Sequence, residues 1–146
     1  MEASLTLSIR CASEAQRDFV QLMLGDGPER PLFEDDVAAT ERDWFNALEE
    51  AAGAEWVEAK GAETLHAGWT LGGWEWETEV EELLQCLKGV GIARISAVVA
   101  GDEGWYQLWL LRDGKQERHD SWQGRSLDQL FDGRRNLAAV LDGLMG

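Results

Sequence analysis

The chain has 146 residues, of which 28 are acidic and 13 basic, giving a formal net charge of −15 at pH 7. With 45% hydrophobic and 28% charged residues, it is typical of a globular protein, and its length predicts a single domain over residues 1–146. The charge opposes the phosphate attraction that dominates nucleic-acid binding, so nucleic acid is not an expected partner. No apolar run approaches the ~20 residues of a membrane span, and the first residues lack the basic start of a secretory signal. We therefore expect a cytoplasmic protein without a membrane partner.

The acidic excess is uneven along the chain. Residues 1–111 contain 22 acidic and 7 basic side chains, whereas residues 112–146 contain 6 of each. A basic partner should therefore approach the first three quarters of the chain, because electrostatic steering follows the local field.

The first third of the chain shows a strand and two helices. Alternation from Leu5 to Cys11 predicts a half-buried strand. Ser13 followed by Gln16 has the spacing of a capping box, and a helical pattern then runs to Gly25. A loop with both prolines follows, and the pattern from Thr40 to Gly53 predicts a second helix.

The middle of the chain predicts a hairpin. Thr64 to Leu71 and Trp74 to Glu77 flank Gly72-Gly73, a pair that accepts the positive φ angles of a two-residue turn. Just before it, Glu55-Trp56-Val57 fits either a short strand or the end of the preceding helix.

The last part of the chain predicts a helix, a three-stranded meander and a helical end. Thr78 and Glu81 suggest a helix start, and Gly89 a stop. Ser126 with Gln129 opens the last helical region, which is interrupted near Gly133. The meander strands run from Ile92 to Ala100, from Trp105 to Arg112 and from Lys115 to Asp120.

This order of elements predicts an α+β fold with an antiparallel sheet. It contains a ferredoxin-like βαββαβ core with an extra helix, an extra strand and a C-terminal helix. Such a fold hosts many unrelated functions, so function must be argued from a site.

No catalytic constellation is evident. The chain has no GxGxxG, P-loop, GxSxG or HExxH motif, and its two histidines, His66 and His119, are interpreted as surface or structural residues. His119 and the adjacent Asp120 would point to opposite faces of a strand. Cys11 and Cys86 are far apart and fall on apolar faces, which predicts two buried free thiols. We expect no catalytic residue, no metal site and no cofactor; the acidic cluster Glu34-Asp35-Asp36 is interpreted as a solvated surface.

Eight tryptophans distinguish the composition, and the segment from Trp69 to Glu77 concentrates three of them. Roughly five or six should be structural, because tryptophan is a large core residue. On a strand, Trp74 and Trp76 would share one face, and Glu75 and Glu77 the other. The tryptophans would then be either core residues or anchors for a partner, with the glutamates solvated or paired with its basic residues. In the meander, Trp105 and Trp109 should face the core.

Two classes of function follow. In the first, the protein is a small acidic inhibitor, of the bacterial immunity-protein or antitoxin kind, that neutralises a toxin or effector by blocking a basic site. In the second, it is a small-ligand-binding domain with an aromatic-lined cavity, with or without chemistry. For the first class, the predicted partner-binding residues are Glu75, Glu77, Glu79, Glu82 and Trp69.

Overall fold

A computed structural model of the chain describes residues 2–25, 54–72, 76–92 and 94–144. Four predicted features lie wholly or mostly outside these ranges: the proline-containing loop, the acidic cluster at residues 34–36, the helix from Thr40 to Gly53, and the pair Trp74 and Glu75.

The described residues form a mixed α+β structure with a six-stranded antiparallel sheet, four helices and a small two-stranded ribbon. The strands are β1 (Glu2–Arg10), β2 (Trp56–Ala59), β3 (Thr64–Gly72), β4 (Arg94–Gly101), β5 (Tyr106–Arg112), β6 (Lys115–His119), β7 (Ser121–Trp122) and β8 (Arg125–Ser126). The helices are α1 (Glu14–Gly25), α2 (Trp76–Gly89), α3 (Leu127–Phe131) and α4 (Leu137–Leu144).

The large sheet has the strand order β2-β3-β1-β4-β5-β6, and every neighbouring pair is antiparallel. Strand β1 lies in the middle and pairs with β3 on one side and β4 on the other. The predicted meander is confirmed as β4-β5-β6. Its second turn, Asp113-Gly114, has positive φ at both residues, as a two-residue hairpin turn requires.

Alternation along the central strands divides their side chains between two cores, one on each face of the sheet. On the first face, apolar residues of β1 pack in one cluster with the apolar stripes of α1 and α2. On the second face, residues of β4 and β5 pack with α3 and α4 in a smaller cluster of Val98, Leu108, Leu110, Leu127, Leu130, Phe131 and Leu141. No described helix is long and apolar enough to span a membrane.

Both predicted Ser/Gln helix starts are present. At α1, the Gln16 N–H donates to Ser13 Oγ at 3.1 Å, while the Gln16 side chain accepts from the N–H of Ala12 at 2.6 Å. At α3, Ser126 and Gln129 form the full capping box. Each motif satisfies N–H groups that the first helical turn leaves without an intrahelical partner.

The predicted strand Trp74–Glu77 is wrong where the structure describes it, because Trp76 and Glu77 begin α2. The alternating Trp-Glu pattern suits a strand, but Trp76 and Val80 also begin a helical stripe that the buried residues of α2 continue. Thr78 is accordingly inside the helix and does not cap it. Strand β3 instead forms its hairpin with β2, which makes Trp56 a strand residue.

The tryptophans divide between core and surface. Trp109 is 2% exposed and Trp76 is 9% exposed. Trp105 packs against Trp76 with 5.2 Å between ring centroids, over Gly101, where a Cβ atom would clash with the indole. Trp56 is 42% exposed and lies on Gly68 in the same way. The core positions predicted for Trp105 and Trp109 are therefore confirmed, with Trp105 partly buried.

Neither Cys11 nor Cys86 forms a disulfide, and they differ in burial: Cys11 is 2% exposed, whereas Cys86 is only half-buried. The prediction of two buried thiols is thus wrong for Cys86, which lies on the edge of the apolar stripe of α2.

Candidate functional site

An open groove of about 910 Å³ lies between the end of β3 and the outer side of α2. Its apolar lining comes from both elements and from β1, and its polar lining comes mostly from α2. The described lining residues are Leu5, Trp69, Thr70, Leu71, Thr78, Glu79, Glu81, Glu82, Leu83, Gln85 and Cys86.

The sheet supplies the apolar side of the groove. Leu5 of β1 is paired with Trp69 of β3, and both side chains belong to the face that α1 and α2 cover. Leu5 is buried, while Trp69 is half-buried and so presents part of its indole to the groove. An indole edge in such a position can pack against apolar atoms of a partner or against a cation.

Helix α2 supplies the acidic side. Glu79 and Cys86 are seven residues apart, so they lie on the same flank of the helix, and Glu82 is next to them toward solvent. Both glutamates and the neighbouring Glu81 are exposed. The other side of α2 faces β6, because Glu77 pairs with Arg118 at 2.6 Å. Gln85, on the outer surface of the helix between the two sides, lines the groove and also donates to Gln116 at 3.2 Å.

Of the five predicted binding residues, the structure brings Trp69, Glu79 and Glu82 into one groove. Glu77 lies on the other flank of α2 and is neutralised by Arg118. Glu75 lies outside the described residues. The sequence did not indicate that Leu5, Leu83 and Cys86 line the groove, because their apolar patterns indicate burial and contain no sign that the core opens beside them.

A row of basic residues crosses the sheet at the end opposite the groove. Arg10, Arg94, Arg112 and Lys115 are successive cross-strand neighbours on β1, β4, β5 and β6. Arg112 donates to Glu117, and these hydrogen bonds hold the pKa of the Glu117 carboxyl below its ordinary value. Arg10 is five residues from Leu5, or roughly 17 Å along the strand. Among the described residues, one end of the sheet is therefore acidic at the groove and the opposite end carries the basic row.

Ser8, Asp142 and His66 form a hydrogen-bonded chain on the second face of the sheet. His66 is 3% exposed, and its Nε2 lies 2.8 Å from Oδ2 of Asp142, whose other oxygen accepts from the Ser8 hydroxyl. The carboxylate is in the middle, whereas a serine nucleophile needs the imidazole beside it. The arrangement therefore anchors α4 to β1 and β3. Asp142 is too distant in sequence for any local pattern to indicate it.

The other histidine lies at the sheet edge. His119 Nε2 is 3.2 Å from Glu117 Oε1, and its ring meets Trp122 edge-on at 5.2 Å. Within the described ranges, no group of three or more His, Cys, Asp or Glu side chains is placed to hold a metal ion.

The two thiols should differ in reactivity. Burial raises the pKa of Cys11 from 9.0 to about 11, so its thiolate is scarce in the folded state at neutral pH. We expect iodoacetamide to modify Cys86 first in the native protein, as followed by mass spectrometry. Folding favours the neutral Cys11 thiol over the thiolate. The contribution of this preference to the free energy of unfolding is complete below pH 9 and is lost as the pH rises toward 11. Equal alkylation rates in the folded state would contradict the assigned burial, and equal rates in denaturant are the control.

Comparison with known proteins gives no match to this chain among protein-family models, curated proteins or solved structures.

Proposed function

We propose that the protein is a small acidic inhibitor that binds a basic site on another protein, in the manner of a bacterial immunity protein or antitoxin. The observation that carries this proposal is the groove in which the half-buried Trp69 lies between apolar side chains and the exposed Glu79 and Glu82. An aromatic anchor beside exposed anions suits a lysine or arginine side chain, whose aliphatic part packs on the ring while its charge meets the carboxylates.

The net charge of −15 supports the same partner. A field of this sign accelerates association with a cationic surface and is screened by salt. The groove is open, and Trp69 is the one aromatic residue in its described lining. Both properties favour a protein segment as the occupant over a small ligand in an aromatic-lined cavity. The proposal assigns the protein no catalysis and no cofactor, and places it in the cytoplasm.

Charge reversal tests the proposal. The wild type and Glu79→Lys/Glu82→Lys would be immobilised side by side to capture partners from the source organism, and each captured protein would be purified. We expect the association rate of the true partner to fall about tenfold or more in the variant, and to fall with rising salt. Excess wild-type protein should also suppress the activity or toxicity of that partner.

The control is Glu63→Lys/Asp128→Lys, which makes the same change in net charge at exposed positions outside the groove lining. It should retain most of the association rate. A partner whose binding rate ignores salt and both charge-reversed variants, or whose activity survives saturation, would refute the proposed function.

We further propose that β1, α1, β2, β3, α2 and β4 form a ferredoxin-like βαββαβ core. The strand order β2-β3-β1-β4 with antiparallel pairing supports this assignment. Strands β5 and β6, with the C-terminal helices, would then be additions at the β4 edge.

A further inference from the structure

Strand β2 covers only part of the outer edge of β3. Its pairing ends with Trp56 opposite Gly68, whereas β3 continues to Gly72 and pairs with β1 along its whole length. Glu55 is still bonded to this edge, through its N–H to Gly68 and through its carboxylate to the Thr70 hydroxyl. The chain then leaves the edge, since the Ala54 N–H donates to the Leu24 carbonyl of α1 at 2.9 Å. Among the described residues, no strand pairs with β3 beyond Gly68 on this side.

The backbone groups that point away from β1 can be identified. The Glu55 N–H donates to the Gly68 carbonyl at 2.7 Å, and the Lys60 N–H donates to the Thr64 carbonyl at 2.9 Å. In an antiparallel ladder, the N–H and C=O of one residue point to the same side, and the side alternates along the strand. Thr70 and Gly72 therefore direct their N–H and C=O groups outward, past the end of β2.

This edge forms the rim of the acidic groove. Thr70 lines the groove together with Trp69 and Leu71, and Glu79 and Glu82 lie across from them on α2. A chain segment added at the edge would occupy the line of β2, and every second side chain would point between the sheet and α2. Those side chains would pack along Trp69 and meet the two carboxylates.

Resting on the proposed function, we propose that the partner supplies an extended segment that adds as a strand to β3 at Thr70 and Gly72, with alternate lysine or arginine side chains entering the groove. Backbone hydrogen bonds fix the register of the segment, and the glutamates select its charge. In this binding mode, the backbone hydrogen bonds and the charge attraction can be changed separately. The outward N–H of Thr70 carries no charge, and the glutamates do not contact the ladder.

The probe is the peptide acetyl-Val-Lys-Val-Lys-Val-Lys-amide, titrated into the full-length ¹⁵N-labelled protein. We expect chemical-shift changes and slowed hydrogen exchange at the amides of Thr70 and Gly72. Two control peptides should each bind at least about tenfold more weakly. One has the same composition with the lysines grouped together, which misplaces the charges. The other is the alternating peptide N-methylated at its valines, which in an antiparallel ladder lie opposite Thr70 and Gly72 and supply the ladder donors. Absence of binding at millimolar peptide, or shifts confined to α2, would overturn the proposed mode.

A protein variant tests the same mode with the partner itself. Thr70→Pro removes the outward backbone N–H, and Thr70→Val is its control. Both variants lose the hydroxyl that donates to Glu55, but only Thr70→Pro loses the backbone N–H. We expect Thr70→Pro alone to speed partner dissociation about tenfold, with native folding verified by its spectrum. If the partner depends on Glu79 and Glu82 but binds both Thr70 variants alike, strand addition is wrong while the inhibitory function stands.

Discussion

Trp109→Ala is expected to lower the free energy of unfolding by ~3–5 kcal/mol, as measured by urea denaturation. The indole belongs to the first core and is 2% exposed, and its cross-strand neighbour Ala97 is too small to fill the space that it would leave. The substitution also removes the 2.7 Å hydrogen bond from Trp109 Nε1 to Gln107 Oε1, leaving a buried amide oxygen without its donor.

Trp56→Ala is the matched control for this prediction. It removes the same side chain from a strand of the same sheet, but at a position where the indole is 42% exposed and rests on Gly68. We expect a loss of roughly half that of Trp109→Ala, because 42% of Trp56 is already in contact with water in the folded state. Equal losses for the two variants would contradict the assigned burial of Trp109.

Phe131→Ala should destabilise the protein by a similar ~3–5 kcal/mol through the second core. Phe131 is fully buried at the end of the short helix α3, where it packs near Tyr106 with 5.8 Å between ring centroids. Because the two cores share β4 and β5, we expect this loss to appear as one cooperative unfolding transition reported equally by far-UV circular dichroism and tryptophan fluorescence.

Phe131→Leu keeps most of the apolar volume and should cost less than ~1.5 kcal/mol. If Phe131→Ala instead melts α3 and α4 in a separate early transition while the first core stays folded, the single-domain prediction is wrong.

Two of the predicted binding residues that lie in the groove, Glu79 and Glu82, have positions that depend on local spacing. Glu79 and Glu82 are three residues apart on a helix, so their common exposed side follows from helical geometry alone. Glu77 belongs to the same acidic run, but Arg118, 41 residues away, pairs with it on the side of α2 that faces β6. No local pattern could distinguish Glu77 from Glu79, because the difference lies in which strand each flank of the helix meets.

The sequence by itself determined the alternation of β1, the start of α1 at Ser13, the meander with its Asp113-Gly114 turn, and the capping box of α3. Each depends on residues that are close together in the sequence, whose side-chain periodicity or backbone preference is a local property. Tertiary structure decided the state of Trp76: its alternating neighbours suit a strand, but burial against Trp105 and the continuing stripe of α2 make it helical. Among the described residues, it also decided where β3 continues past β2 and where α2 leaves the core open, since both depend on the distance at which separate elements pack.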